Sequence, residues 1–175
     1  TYVNKRNVHI PYMVSCIDAD ESSHTFVGKE CFDDFLNHLS DKYGTTNFKN
    51  KGNLELYAHN STYDGSFLMK KLMNLQILEK DNRYVSLKGV YCDWNKSKKY
   101  VELLVKDSYR LIPMKLSDIP EACGFKDDAE KEIMYYNLYN YNTIENINTI
   151  SKKTILKYIK EHDKHSQASK QDLKQ

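Results

Sequence analysis

The stretch 54–67, LELYAHNSTYDGSF, constrains the chain most. Leu54, Leu56 and Ala58 alternate with Glu55 and Tyr57, which predicts a short strand ending at the polar pair His59 and Asn60. Asn60, Ser61 and Thr62 supply turn and helix-capping chemistry. Asp64 then opens an amphipathic segment with Phe67, Leu68, Leu72 and Leu75 on one face, predicting a helix over 64–76. A carboxylate is thereby expected where a strand tip meets a helix start. In α/β folds, side chains at that junction project beyond the sheet, and ligands and catalytic groups gather there. Asp64 is the first candidate site residue.

A chain of 175 residues suits one domain with a core of its own. Its formal net charge of +2 gives no global electrostatic footprint, so a nucleic-acid surface would have to be a local patch. The four cysteines, Cys16, Cys31, Cys92 and Cys123, are far apart and form no C-x-x-C pair. That argues against a cysteine zinc site or a secreted disulfide framework and predicts reduced thiols. No apolar run is long enough to span a bilayer, and residues 1 onward lack signal-peptide order, so a soluble, intracellular protein with no membrane partner is expected.

Along the chain, 8–16 (VHIPYMVSC) reads as a strand interrupted by Pro11, with an edge or bulge at the proline. An acidic turn over 18–24 and a short strand at 25–27 complete a hairpin. Phe32, Phe35, Leu36, Leu39 and Tyr43 recur at helical intervals up to Gly44, and a basic linker follows over 45–53. Residues 83–94 and 100–106 read as a hairpin with a charged tip over 95–99, followed directly by Asp107 and Ser108. Ser117 and Asp118 cap a short helix that stops at Gly124. A tyrosine-rich run follows (Tyr135, Tyr136, Tyr139, Tyr141), then a helical isoleucine pattern from Thr143 that fades into a polar tail.

YAHNSTYDGSFL resembles the second exonuclease motif of family B DNA polymerases, in which an Asn and an aromatic-Asp pair stand at this spacing, and its flanks match the protein-primed branch best. KDSYRLIPMKLSDIPEACGF is similar to that branch's segment in which Asp-Ser follows a strand. Lys131-Glu132-Ile133-Met134 resembles its Lys-x-x-hydrophobic motif. The three occur in the family's order over roughly 8–142. The resemblance implies an α/β, ribonuclease-H-like mixed sheet flanked by helices, of the DEDD exonuclease type. Residues 1–142 would be an exonuclease-like domain incomplete at its N-terminal edge, and 143–175 a helical segment and tail. The implied activity is proofreading 3′–5′ hydrolysis at single-stranded primer ends, within a DNA polymerase that also meets a terminal priming protein. Two Mg²⁺ or Mn²⁺ ions, which prefer carboxylate oxygens, are the implied cofactors.

Carried over by position, the resemblance implies Asp64 as metal ligand, with Asn60 and Tyr63 on the last nucleotides. His59, Phe67, Ser108 and Tyr109 would line the same channel, and Lys131 would meet the scissile phosphate or its attacking water. Tyr63 and Phe67 offer the flat surfaces that unstacked bases need. Two departures stand beside these matches. No Asp-x-Glu precedes 8–16, where the family has its first motif, and no Tyr-x-x-x-Asp closes the sequence, since Tyr158 and Asp163 are one residue too far apart. With one ligand of four, this stretch is expected to be inactive alone.

Plainer roles exist for six of these residues. Asp64 can be a helix cap, Asn60 a turn residue, Tyr63 and Phe67 a packed pair, Ser108 a turn residue, and Lys131 part of a solvated charged face. His162 and His165 lie on a polar tail, and His9 and His24 carry no partner signal. A catalytically silent module that binds single-stranded DNA or a protein partner is the alternative to the nuclease.

Overall fold

The structure, a computed structural model, describes residues 2–3, 6, 8–124, 151–153 and 156. The chain divides into two compact units, Pro11–Lys131 and Thr1–Ile10 with Glu132–Gln175. In the second of these, β1 (Tyr2–Val3) and β2 (His9–Ile10) form a small antiparallel pair. Pro11 ends that pairing, so the strand expected over 8–16 is cut into two pieces.

The Pro11–Lys131 unit is α/β. Its chain runs β3 (Met13–Ile17), β4 (Ser23–Val27), α1 (Cys31–Tyr43), β5 (Gly52–Ala58), α2 (Thr62–Met69), β6 (Met73–Lys80), β7 (Arg83–Cys92), β8 (Tyr100–Asp107) and α3 (Ile119–Ala122). β3 and β4 form the expected hairpin. The other four strands make a mixed sheet in the order β5-β8-β7-β6, with β5 parallel to β8 and the remaining pairs antiparallel.

α1 forms where its apolar spacing predicts, burying Cys31, Phe35, Leu36 and Leu39. It stops at Gly44, where a Cβ would lie 2.3 Å from the Ser40 carbonyl oxygen, so only glycine fits the exit. The strict alternation of β8 turns Val101, Leu103 and Val105 toward that helix, and Leu87 and Tyr91 from β7 join them with Leu68 from α2 in one core. The opposite sheet face is polar: Glu102 pairs with Lys88 (3.0 Å) and Lys51 (3.3 Å), and Lys106 with Glu55 (2.8 Å).

The helix expected over 64–76 ends at Met69, and Leu72 and Leu75 do not belong to it. Residues 73–80 are instead the edge strand β6. The cause lies in the next turn, where Asp81 and Asn82 both take positive φ (54° and 56°). Two left-handed residues in succession make the tight hairpin whose twist matches that of paired strands, and this draws 73–80 onto β7. The pairing of β6 shifts register between Met73 and Gln76, where Asn74 has φ 51°. The predicted hairpin 83–94/100–106 is present, with its first strand ending at Cys92. The short helix before Gly124 is also present as α3, after a 3₁₀ turn at Leu116–Asp118.

Tyr91 ties the core to α1 by donating a hydrogen bond to Asn37 Oδ1 (2.7 Å). Burial, helped by the nearby Asp93 carboxylate, pushes its phenol up to about 12. The neutral phenol is thus favoured in the fold, and its contribution is complete below about pH 10 and lost as pH rises through 12. Chemical denaturation between pH 9 and 12 is expected to show an alkaline loss of stability that shrinks by about 2 kcal/mol in Tyr91→Phe.

Candidate functional site

The parallel pair β5/β8 places Ala58 beside Asp107 at the carboxyl ends of both strands. Chain leaving β5 must turn sharply there to enter α2. Asn60 makes the turn with φ 58°, a left-handed conformation that asparagine tolerates better than most residues. The Asp107 carboxylate, 4% exposed, holds that turn in place. It accepts hydrogen bonds from the backbone N–H of Asn60 (2.8 Å) and Ser61 (3.2 Å), and from Tyr109 N–H (3.0 Å) on its own strand's exit. Ser61 occupies the helix-capping position without a side-chain cap bond, and Asp107 satisfies the N–H groups of the turn that precedes the helix, a role its spacing in sequence gave no hint of.

α2 is held from a second direction. Thr62 Oγ1 accepts from the Tyr84 N–H at the start of β7 (3.2 Å), and Gly65 lets the helix approach closely, since a Cβ there would lie 3.2 Å from the Tyr84 ring. Asp64 stands in the first turn of α2 and is exposed, while crowding by protein atoms raises its carboxyl above the ordinary range. Tyr63 is 46% exposed and packs edge-on against Phe67 at 5.3 Å.

His59 and the exit of β8 meet on the same edge. The Met114 carbonyl can only accept, so His59 Nε2 carries a proton and donates to it (2.8 Å), while Nδ1 faces Ser108 Oγ at 3.2 Å. Ser108 Oγ also reaches the Ala58 carbonyl (3.3 Å), and the Tyr109 ring stands edge-on to His59 at 5.4 Å. Both ring nitrogens of His59 are thus engaged by the scaffold, and its role is to position the loops around it. Arg83 lies over the Tyr109 ring at 5.5 Å, adding a cation that sequence spacing did not single out.

The structure therefore gathers His59, Asn60, Ser108 and Tyr109 around Asp107, with Tyr63, Asp64 and Phe67 on the helix that this carboxylate anchors. Lys131, the tyrosines at 135–141, His162 and His165 lie outside the described residues. Asp64 belongs to no group of three metal-capable side chains among the described residues. Such a group exists elsewhere: Asp18, His24 and His38 converge with ligand atoms within 4.8 Å of one another. His24, which carried no partner signal in sequence, is thus placed beside both an acid and a second imidazole. The Lys42 ammonium, hydrogen-bonded to Asp18, holds that carboxyl below its ordinary range.

Comparison with family models, with curated proteins and with solved structures returns no match.

Removing the carboxylate that anchors the β5–α2 turn strands three amides at once. Asp107→Ala is expected to lower unfolding free energy by about 3–5 kcal/mol, read as a fall in urea midpoint. Asp107→Asn is expected to recover only part of this, because its NH₂ cannot accept.

Proposed function

We propose that the chain carries part of the proofreading 3′–5′ exonuclease of a protein-primed family B DNA polymerase, with a ribonuclease-H-like fold. The observation that carries the reading is the convergence, at the carboxyl ends of two parallel strands, of the residues that resemble the family's second motif with its Asp-Ser segment. Ligand sites in open α/β sheets favour such an edge. A second support is the free side of β5. Among the described residues β5 pairs on one side only, with β8, and β3 pairs only with β4, while α1 packs on both sheets. A strand bearing the family's Asp-x-Glu would find unpaired backbone there.

The residues present do not suffice for two divalent ions. Asp64 is the single carboxylate of the motif here, so no catalytic step follows from these side chains alone. Mg²⁺ or Mn²⁺ would need the further carboxylates of an extended protein. What the chain's own residues supply is a grip on a single strand. The exposed Tyr63 ring, propped by Phe67, offers a stacking face, and the exposed Asn60 offers hydrogen-bonding atoms. Arg83 beside Tyr109 provides positive charge for a phosphate. Such contacts read backbone and base faces, which suits an activity that must accept any terminal base. Lys131, on the family's pattern, would meet the scissile phosphate.

The incomplete carboxylate set equally suits a module that binds single-stranded DNA and does no chemistry. Two measurements separate these readings. Fluorescence anisotropy with a short oligothymidylate is expected to show salt-sensitive binding that Tyr63→Ala weakens by about 1–3 kcal/mol. Excision of a mismatched 3′ nucleotide by the extended protein, with Mg²⁺ or Mn²⁺, is expected to fall at least about 100-fold in Asp64→Ala. Binding with no excision would select the silent module, and equal excision rates would remove Asp64 from catalysis.

A further inference from the structure

We propose that Asp18, His24 and His38 form a binding site for a divalent transition metal of the zinc type, which fastens the β3–β4 hairpin to α1. The site is independent of the nuclease reading and shares no residue with it.

Three elements supply one ligand each. Asp18 directly follows β3, in a turn closed by its own N–H to the Ser22 carbonyl (2.9 Å) and by Glu21 N–H to the Asp18 carbonyl (2.9 Å). His24 is on β4 and His38 on α1. The distances suit a tetrahedral ion. Bonds of 2.0–2.1 Å at tetrahedral angles separate neighbouring ligand atoms by about 3.3–3.4 Å. Asp18 Oδ2 stands 3.3 Å from His24 Nε2 and 3.6 Å from His38 Nε2. The imidazoles are tilted by 43° at a centroid separation of 4.3 Å, and the three ligand atoms all lie within 4.8 Å of one another.

A second observation points to a ligand. His38 Nε2 is buried and has no hydrogen-bond partner, an arrangement that burial normally penalises and that a metal would satisfy. The Asp18 side chain is itself only 5% exposed. Its present counter-ion is Lys42, whose Nζ lies 2.5 Å from Asp18 Oδ2 and 3.1 Å from Asp20 Oδ2. Asp20 is 60% exposed, so the ammonium can stay on it when an ion takes the Asp18 oxygen. Two imidazoles and one carboxylate select a borderline ion over hard Ca²⁺ or Mg²⁺, which prefer all-oxygen shells. Three protein ligands leave a fourth position to water. The absence of paired cysteines therefore excludes only cysteine zinc sites.

The test is titration of the metal-stripped full chain with Co²⁺. One equivalent is expected to give the intense visible bands of a tetrahedral ion, bleached by one equivalent of Zn²⁺, and Zn²⁺ is expected to raise Tm. His24→Gln and His38→Gln are expected to weaken binding at least about 100-fold, and Asp64→Ala to leave the bands unchanged. Lys42→Met, which removes the competing cation, is expected to tighten binding. Should the His38 variant fail to fold, His24→Gln on the partly exposed hairpin decides, as does Zn²⁺-induced shifting of the His24 and His38 ring resonances in the unaltered protein. No bands and no Tm shift at about 100 µM metal, or bands that survive in His24→Gln, would overturn the site.

Discussion

One buried carboxylate organises the end of the sheet on which the candidate site is built. Parallel strands cannot be joined by a tight turn, and here the path from β5 back to β8 runs through α2, β6 and β7. The parallel ladder ends at the pair Ala58 and Asp107, so beyond it the two exits need a further link. Asp107 supplies it by accepting amide protons from both, two from the β5–α2 turn and one from its own continuation. An unpaired buried amide costs about 1–3 kcal/mol; the Ser61 N–H is in that setting and those of Asn60 and Tyr109 are part-buried, so the turn favours the conformation that satisfies them. The left-handed Asn60 follows from that demand, and so does the direction in which α2 departs with Tyr63 and Asp64.

Rigidity at this edge is shared among small, mutually consistent contacts. His59 is fixed through both ring nitrogens, Thr62 reaches β7, and Gly65 allows the helix to sit against Tyr84. Side chains anchored in this way offer the exposed groups, the Tyr63 ring and the Asn60 amide, at defined positions. On the proposed reading, a single-stranded ligand would meet surfaces that lose little freedom on binding, which is where affinity for flexible polymers is otherwise spent.

Much of this was legible in the residues. The period of α1, the alternation of β5 and β8, and the polar turn between β5 and α2 all act locally, and each formed where its pattern indicated. The failures share a cause. The segment 64–76 carries apolar residues at helical spacing, yet the left-handed pair Asp81 and Asn82 imposed a hairpin on what followed Met69. Turn geometry immediately downstream overrode the helical period. Asp107 and His24 were missed for a related reason, since their partners stand 46–47 and 6–14 residues away and are brought near only by sheet register and by packing of α1 on the hairpin.

The contrast between the two charged clusters follows from their donors. Around Asp64 the chemistry is one carboxylate beside aromatic and amide groups, a setting that binds hard cations only when more oxygens are brought to it. Around Asp18 two imidazoles and a carboxylate are already at ligand spacing, and an ammonium holds the charge meanwhile. A lysine in that place is what a preformed anionic site needs to remain stable without a metal, because burial of an uncompensated carboxylate would cost several kcal/mol. Lys42 sits in the last turn of α1, where its charge also complements the helix dipole, so releasing Asp18 to an ion leaves the ammonium with Asp20 and the helix end. At the proposed site, an ion that takes the Asp18 oxygen would leave the Lys42 ammonium its second partner, Asp20.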